Sequence, residues 1–231
     1  MTGRIRAMTR CAYTGAMSMD LSFSLRSPPV PRYAAILLAA GQGTRFRASA
    51  GDDGVDKLLA PLPDGHPVVL AAATALCAVA APVVAVLRPG RPALRDALAQ
   101  APACELIETP DAARGMGASL AAAARYLQAR YARDAGAAPH GVLVALGDMP
   151  WIAPRTLEAV CAAGVMHPIV APACAGRRGH PVAFAWNLLA ELAALDGDTG
   201  ARALLLRHGV HELPCQDAGV VRDIDTVADL G

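Results

Sequence analysis

Aromatic residues make up only 4% of this 231-residue chain, although 54% of it is hydrophobic. A core drawn from it must be assembled from many small aliphatic side chains. Long hydrophobic runs are missing too. The longest candidate, AAATALCAVAAPVVAVL (71–87), is cut by Pro82 and reads as a helix followed by a buried strand, not a membrane span. Neither sign of charge dominates: 21 Lys and Arg against 20 Asp and Glu leave a net charge near +1. That balance argues against a nucleic-acid-binding surface and confines charge chemistry to local clusters. None of the six cysteines (Cys11, Cys77, Cys104, Cys161, Cys174, Cys215) forms a C-x-x-C pair. Neither a disulfide framework nor a zinc site is expected, and the thiols fit the reduced, buried cysteines of a cytoplasmic protein. Residues 1–32 lack the apolar core of a signal peptide and run through MTGRIRAMTR to the turn-forming SPPVP. They read as a disordered or non-native N-terminal extension ahead of one domain spanning 33–231.

What is present is an alternation. Short aliphatic runs at 33–39, 82–87, 104–108, 141–146, 168–172 and 181–184 read as strands, with later candidates at 210–214 and 219–225. Helical stretches are expected at about 67–80, 92–100, 117–133, 154–163, 187–195 and 199–208. Near-continuous apolar strands between helices predict a three-layer α/β domain, a mainly parallel sheet with helices on both faces. Ligands on such sheets bind at the carboxyl ends of the strands. That rule puts GQGTRF (41–46) and GDMP (147–150) on one rim.

GQGTRF has the look of a phosphate loop, but two familiar kinds are excluded. No Gly-Lys-Ser/Thr follows, as a Walker A loop requires. The third small residue of a dinucleotide fingerprint is replaced by Phe46, too large for close helix–strand packing. Gly41 and Gly43 still permit backbone N–H groups to face an anion, and Arg45 supplies a fork suited to phosphate oxygens. Lys57 follows after a Gly- and Asp-rich stretch.

This run from strand to lysine resembles the nucleotidyltransferase pattern L-A-A-G-x-G-x-R. GMGASL (115–120), GDMP (147–150), GRRGHPVAF (176–184), DGDTGAR (196–202) and DIDTVADL (223–230) follow in order. Together they resemble the MocA family, the molybdenum cofactor cytidylyltransferases, within the MobA-like group, over about residues 33–231. The chain departs from the family in having Phe46-Arg47 where Met-Gly is usual, in the longer segment ASAGDDGVD (48–56), and in Val227 where Pro is frequent.

The resemblance implies a Rossmann-like nucleotidyltransferase fold and a Mg²⁺-dependent reaction. CMP from CTP would be joined to the phosphate of the molybdopterin form of molybdenum cofactor, releasing pyrophosphate. A molybdenum hydroxylase would be the acceptor of the product, with no nucleic acid or membrane partner. Arg45, Lys57 and Asp148 are the expected catalytic groups. Leu38, Ala39, Ala40, Gly41 and Gly43 with Gly115, Met116, Gly117 and Ser119 would surround the nucleotide. Asp148 is the expected metal ligand. Asp223 and Asp225 lie two apart on a predicted strand and so share a face, and either could complete the metal site, unless both are solvated turn charges. Thr226 and Asp229 have capping-box spacing. His180, beside Arg177 and Arg178, and Arg202 are candidates for the anionic substrate, whereas Asp198 reads as a helix N-cap. The cytidylyl branch usually has L-A-A-G and the guanylyl branch L-A-G-G, so Ala40 favours CTP. A guanylyltransferase on the same scaffold and a non-catalytic molybdenum cofactor carrier or insertion partner are the alternatives.

Residues 1–30 carry no apolar period. A chain starting at Pro31 is expected to melt within a few degrees of the full chain, as followed by circular dichroism. A large loss would mean that the extension packs against the domain.

Overall fold

The computed structural model describes residues 32–51 and 56–231. The extension expected at 1–32 therefore lies, except for Arg32, outside the described residues. Eight strands form one sheet: β1 (Tyr33–Leu38), β2 (Val83–Leu87), β3 (Cys104–Glu108), β4 (Gly141–Leu146), β5 (Ile169–Cys174), β6 (Arg177–Arg178), β7 (Val182–Ala185) and β8 (His211–Cys215). Their order is β3-β2-β1-β4-β7-β5-β6, with β8 pairing β5. β1, β2, β3 and β4 are mutually parallel, and β8 is parallel to β5. β7 runs antiparallel to both β4 and β5 and joins the two parallel groups. The sheet is thus mostly parallel, as predicted, with one reversed strand in its interior.

Among the described residues seven α-helices cover it: α1 (Thr44–Ala50), α2 (Val68–Cys77), α3 (Pro92–Leu98), α4 (Met116–Tyr131), α5 (Pro154–Ala163), α6 (Leu189–Ala193) and α7 (Arg202–His208). Strand side chains alternate between two buried clusters. Ala35, Leu37, Val83, Ala85, Leu87 and Leu143 meet α2, α3 and α5 on one face. Ala34, Ile36, Val84, Val86, Val142 and Val144 meet α4, α6 and α7 on the other. This alternation across a doubly covered sheet is why the strands read as unbroken apolar runs. None of the described helices is long and apolar enough to cross a membrane.

The chain goes from β1 outward through β2 to β3 and then crosses back to β4 on the other side of β1. The connections leaving β1 and β4 therefore part in opposite directions and open a crevice at their carboxyl ends, where ligands bind in open α/β sheets. The GQGTRF loop follows β1 into this crevice and Gly147-Asp148 follows β4. Gly147 N–H donates to the Leu38 carbonyl at 2.9 Å, which ties the two loops at their roots.

The predicted strand at 219–225 does not form. Ala218–Val221 is a single 3-10 turn, and 222–225 is irregular. Its backbone is committed elsewhere: Ile224 N–H donates to the Asp148 carbonyl at 3.0 Å, and Asp225 N–H to the Asp229 carboxylate at 3.1 Å. The expected two-residue period across Asp223 and Asp225 is lost with the strand. Asp217 fixes the beginning of this segment by accepting from Ala153 N–H at 2.9 Å and the Thr156 hydroxyl at 2.7 Å, at the start of α5.

The hairpin after β5 packs directly on the same segment, with Gly179 N–H bonded to the Pro172 carbonyl and His180 N–H to the Val220 carbonyl, both at 2.8 Å. A Cβ on Gly179 would lie 1.9 Å from that Val220 oxygen. Gly179→Ala is expected to cost about 1–3 kcal/mol through forced backbone displacement. Gly136→Ala, where the nearest atom is 3.4 Å from the added carbon, should be close to neutral. Urea midpoints of the two variants make the comparison, and equal midpoints would contradict the close packing.

Candidate active site

Lys57 opens a 3-10 turn, Lys57–Leu59, whose N-cap is Asp56: its carboxylate accepts from Leu58 N–H at 3.1 Å. Asp56 is also paired with Arg91 from the loop after β2. With its turn held in this way, the Lys57 side chain extends to the ends of two other segments. Its Nζ lies 2.5 Å from Asp148 Oδ2, donates to the Ile224 carbonyl at 3.2 Å, and stands 3.7 Å from Asp225 Oδ1. Only 11% of the Lys57 side chain and 18% of Asp148 are exposed, so water screens the pair weakly. Asp225 accepts in turn from Arg45 at 2.7 Å, in a solvent-facing pair. Asp229 holds Asp225 and Thr226 by their backbone N–H groups, and its carboxyl stays below the usual range because Thr226 donates to it. Arg45, Lys57, Asp148 and Asp225, distant in sequence, thus form one charged cluster. Asp223 is exposed and separate from Lys57 and Arg45 among the described ion pairs.

A cavity of about 320 Å³ opens beside this cluster. Its floor is the ends of β1 and β4, where Leu38, Ala40, Gly41 and Leu146 line it. Lys57 and Asp148 stand at one side, and Gly115, Met116, Ser119 and Asp198 form another wall. A second recess of about 230 Å³ follows the loop Gly41–Phe46 to Lys57 and Asp225. Gly43 has φ 61°, in the left-handed region, and a Cβ there would press to 3.3 Å on Lys57 Cγ. Glycine therefore serves both the turn and the lysine's course. Asp148 Oδ1 is buried with no hydrogen-bond partner, an acceptor lying unused at the cavity.

Several residues fall in places other than those expected. Ala39 points into the core, 3% exposed, while Ala40 faces the cavity. Gly117 is taken up by packing: its N–H donates to the Gly197 carbonyl at 2.8 Å, and a Cβ would meet the Asp196 oxygen at 2.7 Å. The GMG and DGD motifs thus brace each other. Asp198 is no helix cap, since α7 begins only at Arg202 after an uncapped Ala201. Arg202 is exposed and lies outside the cavity lining, so Asp198 is the residue of that motif that reaches it. Burial lowers the His180 pKa, against the Val144 carbonyl and the Asp148 and Asp223 charges, which pull the other way. The net effect disfavours the charged imidazole at this position.

Arg88, directly after β2, was not legible as a site residue. It lines the cavity, and its Nε is buried without a partner. A guanidinium in RPGR carries no sequence mark that separates it from Arg91, three residues on, which serves the ion pair with Asp56.

A family model described as MobA-like NTP transferase domain matches residues 35–213. Rv0371c of Mycobacterium tuberculosis, solved as a complex with manganese, is similar at 30% identity and a TM-score of 0.63, over 87% of this chain and 96% of that one. A nucleotidyl transferase from Methanothermobacter shares the fold at 22% identity and a TM-score of 0.67, over 86% and 94% of the two chains. So does molybdopterin-guanine dinucleotide biosynthesis protein A from Archaeoglobus fulgidus, at 19% identity and a TM-score of 0.57, over 85% and 94%. No curated protein matches the chain significantly.

The Lys57–Asp148 pair makes a direct energetic prediction. Lys57→Met leaves a buried carboxylate unpaired and is expected to destabilise the protein by about 3 kcal/mol. Asp148→Asn removes the other partner. The double variant should be more stable than the sum of the two losses predicts, by about 1–3 kcal/mol in a denaturant double-mutant cycle. Strict additivity would mean that the two side chains do not interact.

Proposed function

Since the chain belongs to the MobA-like NTP transferase domain family, we propose that it is a divalent-metal-dependent cytidylyltransferase of the MocA type. It joins CMP from CTP to the phosphate of molybdopterin-type molybdenum cofactor and releases pyrophosphate. The observation that carries this reading is the buried, unpartnered Asp148 Oδ1 beside Lys57 and Arg45 at the β1/β4 crevice.

The residues present fit a magnesium ion. No cluster of three or more His, Cys, Asp or Glu side chains forms a metal cage among the described residues. Magnesium needs no such cage in nucleotide enzymes, where one or two carboxylates suffice and phosphate and water supply the rest. Asp148 would hold it through Oδ1, and Asp225 is the better placed of the two later carboxylates to assist, being already in the charged cluster. The ion would neutralise phosphate charge and polarise the phosphorus under attack. The manganese complex of the similar protein Rv0371c supports divalent metal use by this chain.

In the reaction, a phosphate oxygen of the acceptor forms a bond to the α-phosphorus while the bond from that phosphorus to the bridging oxygen of pyrophosphate breaks. Both reactants are anions, so the work of the protein is alignment and charge neutralisation. Arg45 and the backbone of Gly41 and Gly43 would take the β- and γ-phosphates along the second recess. Lys57 would turn part of its charge from Asp148 to the α-phosphate. No side-chain nucleophile is required. Ala40 supports CTP over GTP, because its Cβ narrows the cavity where a glycine would leave room for a purine. The ordered motifs shared with the MocA family support the molybdenum cofactor as acceptor.

Asp148→Asn keeps the size of the side chain and removes its charge. Each 1.36 kcal/mol of lost transition-state stabilisation is tenfold, so transfer should fall roughly a hundredfold or more. The measurement is pyrophosphate release with CTP, Mg²⁺ and molybdenum cofactor, accompanied by a melting curve, because the same change unpairs Lys57. A folded variant of near-normal rate removes the metal from this reading, and equal turnover of CTP and GTP by the unaltered protein removes the base assignment.

A further inference from the structure

Two of the buried polar atoms left without a partner belong to residues that line the same cavity. One is the acceptor Asp148 Oδ1, and the other is the donor Arg88 Nε. They come from β4 and β2, the two strands that flank β1, with Ala40 between them at the end of β1. Two strand spacings separate these ends, about 10 Å, which is near the distance from an α-phosphate to the far edge of its base. The charged cluster lies at the Asp148 end, together with the recess suited to the β- and γ-phosphates. The Arg88 end is lined by Ala112 and Gly115, with the Asp198 carboxylate beside Gly115 on the same wall; Arg88 forms no ion pair with it among the described residues. A guanidinium is a donor only, and a buried N–H without an acceptor is costly. The guanidinium has donor capacity that acceptors on a ligand in the cavity would satisfy.

We propose that Arg88 reads the base of the nucleotide and selects cytosine over uracil. This rests on the nucleotide reading of the cavity given above. Cytosine presents two adjacent acceptors, O2 and N3, which match the parallel donors of a guanidinium. Uracil places an N3–H donor between its two carbonyls, so the same approach sets donor against donor. Adenine offers single acceptors beside an amino group. Guanine alone among the others has an adjacent acceptor pair, O6 and N7, and it is the base that Ala40 crowds. The two residues thus divide the selection: Ala40 acts against purine size and Arg88 against the hydrogen-bond pattern of uracil.

The test is calorimetric titration of the full-length protein with CTP, UTP and GTP in the presence of Mg²⁺ and without acceptor. The unaltered protein should bind CTP roughly tenfold to a hundredfold more tightly than UTP, the range of one good bidentate base contact. Arg88→Met should bring CTP and UTP within about threefold of each other, almost entirely by weakening CTP. Arg88→Lys keeps the charge but loses the fork, and should fall between. It also supplies the answer if the Met variant does not fold, as judged by its melting curve. An unchanged CTP:UTP ratio in whichever variant folds overturns the inference. So does an equal loss for all three nucleotides, which would make Arg88 a phosphate contact. Those outcomes leave the nucleotide site standing, whereas absence of any metal-dependent nucleotide binding by the unaltered protein overturns both readings at once.

Discussion

One ammonium group organises the functional end of this molecule. Lys57 Nζ is nearly buried and must find its counter-charges there, because an unpaired cation in that position would cost several kcal/mol. It finds them on segments distant in sequence: Asp148 at the end of β4, and the Ile224 carbonyl and Asp225 in the C-terminal segment, which the Ile224 N–H bond to the Asp148 carbonyl also ties to β4. The lysine's own turn is fixed by Asp56 and Arg91, and its stem passes beside Gly43 of the β1 loop. Displacing any of these contacts shifts the position of the charge, and the cavity wall moves with it.

The sheet makes this convergence possible without taking part in it. Small aliphatic side chains let β1, β2 and β4 lie buried on both faces, and the crossover to opposite sides of β1 leaves their ends open. Three neighbouring strand ends then place three different groups around one cavity: a guanidinium at Arg88, a methyl group at Ala40 and a carboxylate at Asp148. Rigid strands set the spacing, and loops supply the chemistry.

The parts of this arrangement that sequence makes legible are those fixed by local pattern. The runs YAAILL, VVAVL and GVLVAL announce their strands because both faces are covered, and the rule that ligands sit at strand ends then brings Arg45, Lys57 and Asp148 together. What is not legible depends on long-range approach. β7 runs antiparallel to β4 and β5, and the hairpin that leads into it seats Gly179 against Val220, a long-range approach that no local signal encodes. The segment VVRDID has the alternation of a strand but lacks a partner edge, since Asp148, Asp217 and Asp229 have already claimed its neighbourhood. Asp198 carries the composition of a helix cap, yet it is turned into the cavity by the packing of Gly115 and Gly117 on the 196–198 loop. Arg88 and Arg91 are chemically identical in sequence and opposite in use.

The dependence of Lys57 on Ile224 and Asp225 ties the charged cluster to a segment outside the sheet. The described strands end at Cys215, yet Val220 and Ile224 beyond them are fully buried in the core. The same short stretch therefore closes the packing and, through the Ile224 carbonyl and Asp225, seats the lysine. Loosening it would open the core and release the ammonium group together, so order in the framework and order in the charged cluster are one property.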